Sequence, residues 1–155
     1  MQKLFKKILT LIFSPFIYLI KLSTGGLKPM EHNPTPKYVD PKLKRFVDDF
    51  ITMAEKFDVP IDLSRFTISV GETGHPDNVF AVSIGRQVIF RPQTLNNPVD
   101  NIRWIMFHEL GHGVLGLPHR SDKEAIMNNG GVVTNPIITE WDMENNDDRL
   151  VELFN

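Results

Sequence analysis

Two histidines and a glutamate form the pattern in this chain that could do chemistry. The stretch His108-Glu109-Leu110-Gly111-His112 reads H-E-x-x-H. On a helix, residues four apart lie one turn apart on the same face, so His108 and His112 can direct two imidazole nitrogens at one ion. Glu109 can then accept a proton from a water on that ion without binding the metal itself. Two histidine ligands with a carboxylate base are typical of zinc-dependent peptidases.

A catalytic zinc site needs a third protein ligand and one open position for water. His119 is the first candidate, because it follows Gly116 and the Leu117-Pro118 pair. Glycine lets the chain turn sharply out of a helix, and proline biases the residue before it towards an extended form. We therefore expect the chain to fold His119 back towards the ion that His108 and His112 face.

The stretch from His108 to Met127, HELGHGVLGLPHRSDKEAIM, resembles the metzincin metallopeptidases and, within them, the matrixin-like branch. The resemblance implies a Zn²⁺ cofactor held by His108, His112 and His119, with Glu109 as general base. It also implies that Met127 forms a hydrophobic floor beneath the ion, as the methionine of the family's Met-turn does.

The chain departs from the family pattern at one point. The family has two residues between the second histidine and the glycine, whereas this chain has three, Gly113-Val114-Leu115. One extra helical residue adds about 1.5 Å of rise and about 100° of rotation, which would misdirect His119. We expect the extra residue to be absorbed as a bulge or as a tightened last turn.

Other third ligands stay open at this point. Glu140 or Glu144, on the predicted C-terminal helix, would give the arrangement of the gluzincin class, and Asp122 is a weaker candidate. His75 lies in a predicted surface loop, and a single His–Asp pair there seldom makes a closed zinc site.

The motif must be positioned by a helix, and the sequence marks both ends of one. Asn97 and Pro98 are typical of a helix start, as N-cap and first helical residue, and Gly116 is typical of a helix end. A second helix is predicted after the N-cap Asp40, because apolar residues recur there at three- and four-residue spacing.

Alternating apolar residues predict strands, and Gly85-Arg86 between two of them predicts a hairpin. With the family resemblance, these elements indicate an α+β fold: a compact zincin-like domain with a small twisted mixed sheet, an active-site helix, a backing helix and a C-terminal helix. The predicted helices are 41–57, 97–115 and 139–154, and the predicted strands are 66–70, 79–84 and 87–91.

Composition bounds the function classes. The 155 residues suffice for one domain with a core, and the net charge of −2 gives no reason to expect a nucleic-acid partner. The absence of cysteine excludes disulfides, thiolate zinc ligands and cysteine nucleophiles. We expect a monomer.

The N-terminus differs in character from the rest. Lys3, Lys6 and Lys7 precede an apolar run from Ile8 to Ile20. That run is shorter than the about 20 residues of a bilayer span and suits the apolar region of a signal peptide. An in-plane amphipathic helix and a helix packed on the domain's own core are the alternatives. We expect residues 1–25 to be a signal peptide or membrane anchor, 26–40 a lead-in and 41–155 the catalytic domain of a secreted or membrane-anchored protein.

The resemblance implies that a protein or peptide substrate binds in extended form along an edge strand, Val79 to Ile84 or its neighbour, by main-chain hydrogen bonds. Residues 128–137 would line the specificity pocket. Two functions follow as hypotheses: a zinc endopeptidase, or a non-catalytic, metal-stabilised, membrane-tethered binding or assembly module.

Overall fold

The computed structural model describes residues 31–121, 125–128, 143–144 and 148–155. The chain divides into two compact units, Met1–Glu31 and His32–Asn155, and the account that follows concerns the second. The segment predicted to be a signal peptide or anchor lies outside the described residues. None of the described helices is both long enough and apolar enough to cross a membrane.

Four short strands form one mixed sheet. In spatial order they are β1, β2, β4 and β3: β1 pairs with β2 and β2 with β4 in parallel, whereas β3 and β4 are antiparallel. Gly85, with a φ of +60°, forms the predicted hairpin between β3 and β4. The strands are Tyr38–Val39 (β1), Thr67–Val70 (β2), Ala81–Ile84 (β3) and Gln87–Phe90 (β4).

Three α-helices accompany the sheet in the described residues, and the α+β class is confirmed. They are Lys44–Lys56 (α1), Val99–Gly113 (α2) and Asp148–Phe154 (α3), with a 3₁₀ helix at Pro92–Asn96. The helix that carries the histidine motif, the backing helix and the C-terminal helix are thus all present. The predicted start of the C-terminal helix at Thr139 lies outside the described residues.

The caps differ in detail from the prediction. Asp40 accepts a hydrogen bond from the Lys42 amide at 2.9 Å, so it stabilises a turn that precedes α1 rather than α1 itself. The predicted N-cap Asn97 is wrong, because its side-chain amide donates backwards to the carbonyl of Thr94 at 3.0 Å and α2 begins two residues later. The preceding 3₁₀ turn has competed for that side chain.

Aromatic rings join the three helices beneath the motif. Phe50 of α1 lies 5.3 Å from Phe107 of α2 and 5.2 Å from Phe154 of α3, measured between ring centroids. The buried guanidinium of Arg103, on α2, also binds Asp49 of α1, with Nε 2.8 Å from Oδ2. The helix that carries the histidines is therefore held by packing and by a charge-assisted hydrogen bond.

Candidate metal centre

Three imidazole rings meet at the C-terminal end of α2. The Nε2 atoms of His108 and His112 lie 3.2 Å apart, and that of His119 lies 3.2 Å from Nε2 of His108. One nitrogen from each ring lies within 4.8 Å of the other two, which makes this a group that could hold a metal ion. The structure thus brings together all three histidines that the sequence predicted as ligands.

The spacing of the three rings can be compared with that of a tetrahedral ion. Zinc–nitrogen bonds of about 2.0–2.1 Å at tetrahedral angles place two ligand nitrogens about 3.3–3.4 Å apart. The two 3.2 Å separations are close to this value. Because neighbouring lone pairs repel at such distances, the arrangement favours a shared cation between the rings.

Backbone carbonyls orient two of the rings. Nδ1 of His108 lies 2.7 Å from the carbonyl oxygen of Ile126, and Nδ1 of His112 lies 2.7 Å from that of Leu117. A carbonyl can only accept, so each Nδ1 must carry the proton and each Nε2 is left with a lone pair. Hydrogen bonds of this kind fix the tautomer and the direction of histidine ligands at metal sites.

The extra residue before Gly116 is absorbed by a widened helix end. The Leu115 amide bonds to the carbonyl of Leu110, five residues back, at 3.4 Å, and the Leu117 amide to that of Gly111, six residues back, at 3.0 Å. The usual closing bond of a Schellman motif spans five residues. The predicted bulge is therefore confirmed, and the alternative of a tightened last turn is wrong.

Gly116 then reverses the chain. Its φ of +68° is a conformation that L side chains rarely adopt, as the sequence predicted for the helix stop. Two residues further on, Pro118 leads into His119, whose side chain is exposed. The widened end and this reversal together deliver the third imidazole to the other two.

Met127 packs against α2 at Gly111, which lies between His108 and His112 in the sequence. It is buried, and a methyl group added to Gly111 would come within 2.5 Å of its sulfur. The segment that leads to it is closed by a 2.7 Å hydrogen bond from the Arg120 amide to the Met127 carbonyl. A glycine at position 111 thus lets the thioether approach the backbone of α2 as an apolar floor.

Glu109 is a buried carboxylate without a partner. It is 8% exposed, and none of the described residues forms a hydrogen bond or an ion pair with it. Burial raises its pKa from 4.5 to about 7. A desolvated carboxylate that directly follows a histidine of the cluster in the chain is characteristic of a functional site, because its burial costs stability and no contact with the described residues offsets that cost.

The pKa values of His108 and His119 are shifted in the opposite direction. Burial lowers the pKa of His108 to about 4. The hydrogen bond to the Ile126 carbonyl raises this pKa by a smaller amount, and the charges of His112 and His119 lower it slightly further. The pKa of the exposed His119 is also lowered, by desolvation and by His112. Neutral imidazoles are the form that binds metal.

The other candidate ligands lie elsewhere or cannot be placed. Glu144 is exposed and does not belong to the cluster; its backbone carbonyl accepts a hydrogen bond from Nζ of Lys56, at the end of α1, at 3.0 Å. Glu140 and Asp122 lie outside the described residues. His75 is exposed in the loop between β2 and β3. Among the residues that the structure describes, His119 alone joins the motif's two histidines.

The sequence did not point to three groups that orient the site. The carbonyls of Leu117 and Ile126 carry no signal, because any residue type supplies a carbonyl. Trp104 stacks on His108, with ring centroids 5.2 Å apart and 17° between the planes. Its signal was the four-residue spacing on the same helix, which places two rings on one face.

No family model, curated protein or solved structure matches this chain.

The opposed shifts of Glu109 and His108 predict a pH signature in the presence of a chelator. Below pH 4.5 Glu109 is protonated in both folded and unfolded chains; between 4.5 and about 7 only the unfolded chain ionises, so stability falls as pH rises. His108 acts with the opposite sign between about 4 and 6.5. We expect Glu109→Gln to gain stability relative to the unsubstituted protein by up to about 1.4 kcal/mol per pH unit from 4.5 to 7.

Urea unfolding at half-unit pH intervals measures this difference directly, because the His108 contribution is common to both proteins. The gain should level off above pH 7. A difference in the free energy of unfolding that stays constant from pH 4 to 8 would show that the carboxylate is solvated in the folded protein.

Proposed function

We propose that this chain is a zinc-dependent endopeptidase of the metzincin type, with His108, His112 and His119 as metal ligands and Glu109 as general base. The observation that carries the proposal is the convergence of three Nε2 atoms, together with a buried, unpartnered carboxylate at Glu109, the residue that follows the first histidine. The glycine turn before the third histidine and the methionine floor at Met127 support the resemblance to that family.

The donor set fits zinc. Three neutral imidazoles, two of them oriented through Nδ1, suit a borderline-soft divalent cation and leave a fourth position for water. Zinc bound there would supply Lewis acidity, which makes water a nucleophile near neutral pH and polarises a peptide carbonyl.

Glu109 would move the proton. Positive charge held by the three imidazoles favours its ionised form, which offsets the effect of burial on its pKa. The carboxylate accepts a proton from the attacking water and passes it to the nitrogen of the leaving amine. The bound cation would thus lower the pKa of Glu109 from the value of about 7 that burial gives it, so that the base is ionised near neutral pH.

The edge strand β3 supports an extended peptide substrate. Among the described residues β3 pairs with β4 alone, so its other side is open to strand addition. It lies close to the site: a methyl group added to Gly113, at the end of α2, would come within 2.7 Å of Oγ of Ser83. A peptide added to β3 would therefore run past the histidine cluster. Residues 129–137, expected to form most of the specificity pocket, lie outside the described residues.

Cleavage of unfolded casein by the full chain with added zinc tests the mechanism. We expect Glu109→Gln to keep its zinc and to lose about 10²–10⁴-fold in kcat/KM, because the general base is removed. Glu72→Gln, a change at an exposed loop carboxylate, is the matched control and should stay active. Activity of Glu109→Gln close to that of the control contradicts the mechanism, and zinc binding without any cleavage by the unsubstituted chain favours the non-catalytic module.

Metal affinity tests the ligand set. His119→Ala should bind zinc more than about 100-fold more weakly, because even changes to groups that only orient a ligand cost 10–100-fold. The control is His75→Ala, which removes an exposed histidine outside the cluster. Competition with a zinc-binding dye gives both constants; equal affinities would remove His119 from the site.

We further propose that residues 1–25 direct export or membrane anchoring, on the basis of the three lysines followed by a short apolar run. A fusion of residues 1–40 to a reporter that is active only outside the cytoplasm should be active. Replacing Leu11 and Ile12 by aspartate should abolish that activity, and an inactive parent fusion contradicts the proposal.

A further inference from the structure

Trp104 differs from the other large aromatic residues of α2 in what it touches. Phe107 contacts rings of α1 and α3 and so belongs to the core. Trp104 instead lies one turn before His108 and stacks on it, with 17° between the ring planes. It is 3% exposed, so the stacking face is shielded from water.

The indole carries a cost that a phenyl ring would not. Its Nε1 is buried and has no hydrogen-bond partner in the described part of the chain. A buried donor left without a partner is destabilising, and phenylalanine would avoid that penalty. The position therefore keeps the aromatic ring with the strongest attraction for cations despite a cost to stability.

The stacking completes the restraint of His108. The hydrogen bond from Nδ1 to the Ile126 carbonyl fixes one edge of the ring but leaves it free to tilt about that bond. Trp104 closes one face of the ring, and His119 meets its Nε2 edge, with the two Nε2 atoms 3.2 Å apart and the ring centroids 5.2 Å apart. His112 stands edge-on, at 89° to it. The ring plane is thereby set with Nε2 towards the other two histidines.

We propose that Trp104 is a positioning residue that selects the metal-loaded state of His108. This inference rests on the proposed metal site. An imidazole that donates its lone pair to a cation becomes electron-poor, and the face of an indole attracts such a ring more strongly than it attracts a neutral one. The indole thus holds the ring in its ligating orientation and strengthens binding of the cation.

Zinc affinity of three variants of the full chain tests this role. Trp104→Leu, which stays apolar but removes the aromatic face, should bind zinc about tenfold more weakly. Trp104→Phe should lie between the parent and Trp104→Leu, about threefold weaker than the parent, because a phenyl face attracts a cationic ring less strongly than an indole face does. The matched control Phe107→Leu loses a core ring on the same helix and should lower the unfolding temperature in chelator while leaving the zinc affinity of the folded protein within about threefold.

A spectroscopic measurement keeps the inference testable if Trp104→Leu fails to fold. The chain has two tryptophans, so Trp141→Phe isolates the emission of Trp104. Zinc added to that protein should quench the emission and reach an end point at one equivalent, because the ligated imidazole becomes a better electron acceptor.

Each outcome separates the two proposals. If the unsubstituted chain binds no zinc, the metal site and this inference both fall. If it binds zinc, but Trp104→Leu matches the parent, or weakens no more than Phe107→Leu, the metal site stands and the positioning role is wrong. Unchanged emission at one bound zinc per chain overturns the inference as well.

Discussion

The site depends on how the chain leaves α2. Leu117 bonds through both of its backbone polar groups: its amide closes the widened helix end on Gly111, and its carbonyl accepts from Nδ1 of His112. One residue thus sets both where the helix stops and how the His112 ring is oriented. Because Gly116 precedes it with a φ of +68°, the same turn also fixes the direction in which His119 returns. The extra residue before Gly116 is therefore compatible with the convergence of the three imidazoles.

The burial of Glu109 and His108 costs the folded protein stability. Glu109 and His108 are each 8% exposed, and burial shifts both pKa values towards the neutral form. Other contacts of the helix that carries them offset this cost. They are the packing of the Phe50, Phe107 and Phe154 rings and the ion pair of Arg103 with Asp49. Binding of a cation that stabilises the folded state alone would offset part of it.

Local chemistry explains which parts of this structure could be predicted from sequence. The H-E-x-x-H spacing, the glycine before the third histidine and the alternation in β3 and β4 are properties of neighbouring residues, and they predicted the helix, the turn and the hairpin. The cap at Asn97 failed because the side-chain amide of Asn97 donates to the carbonyl of Thr94 in the preceding 3₁₀ helix. The parallel pairing of β2 with β4 and the carbonyl of Ile126 on His108 join segments far apart in the chain, which no local pattern encodes.

The buried carboxylate favours the proposed catalytic role of the histidine cluster over a structural one. A structural metal site is closed by its ligands and gains nothing from a desolvated acid that does not bind the ion. Glu109 lies beside the first ligand, has no partner among the described residues, and has a pKa raised to about 7 by burial alone. Replacing it by an apolar residue would stabilise a purely structural protein. Its presence supports the proposed role in proton transfer, which is the step that peptide hydrolysis requires of a general base.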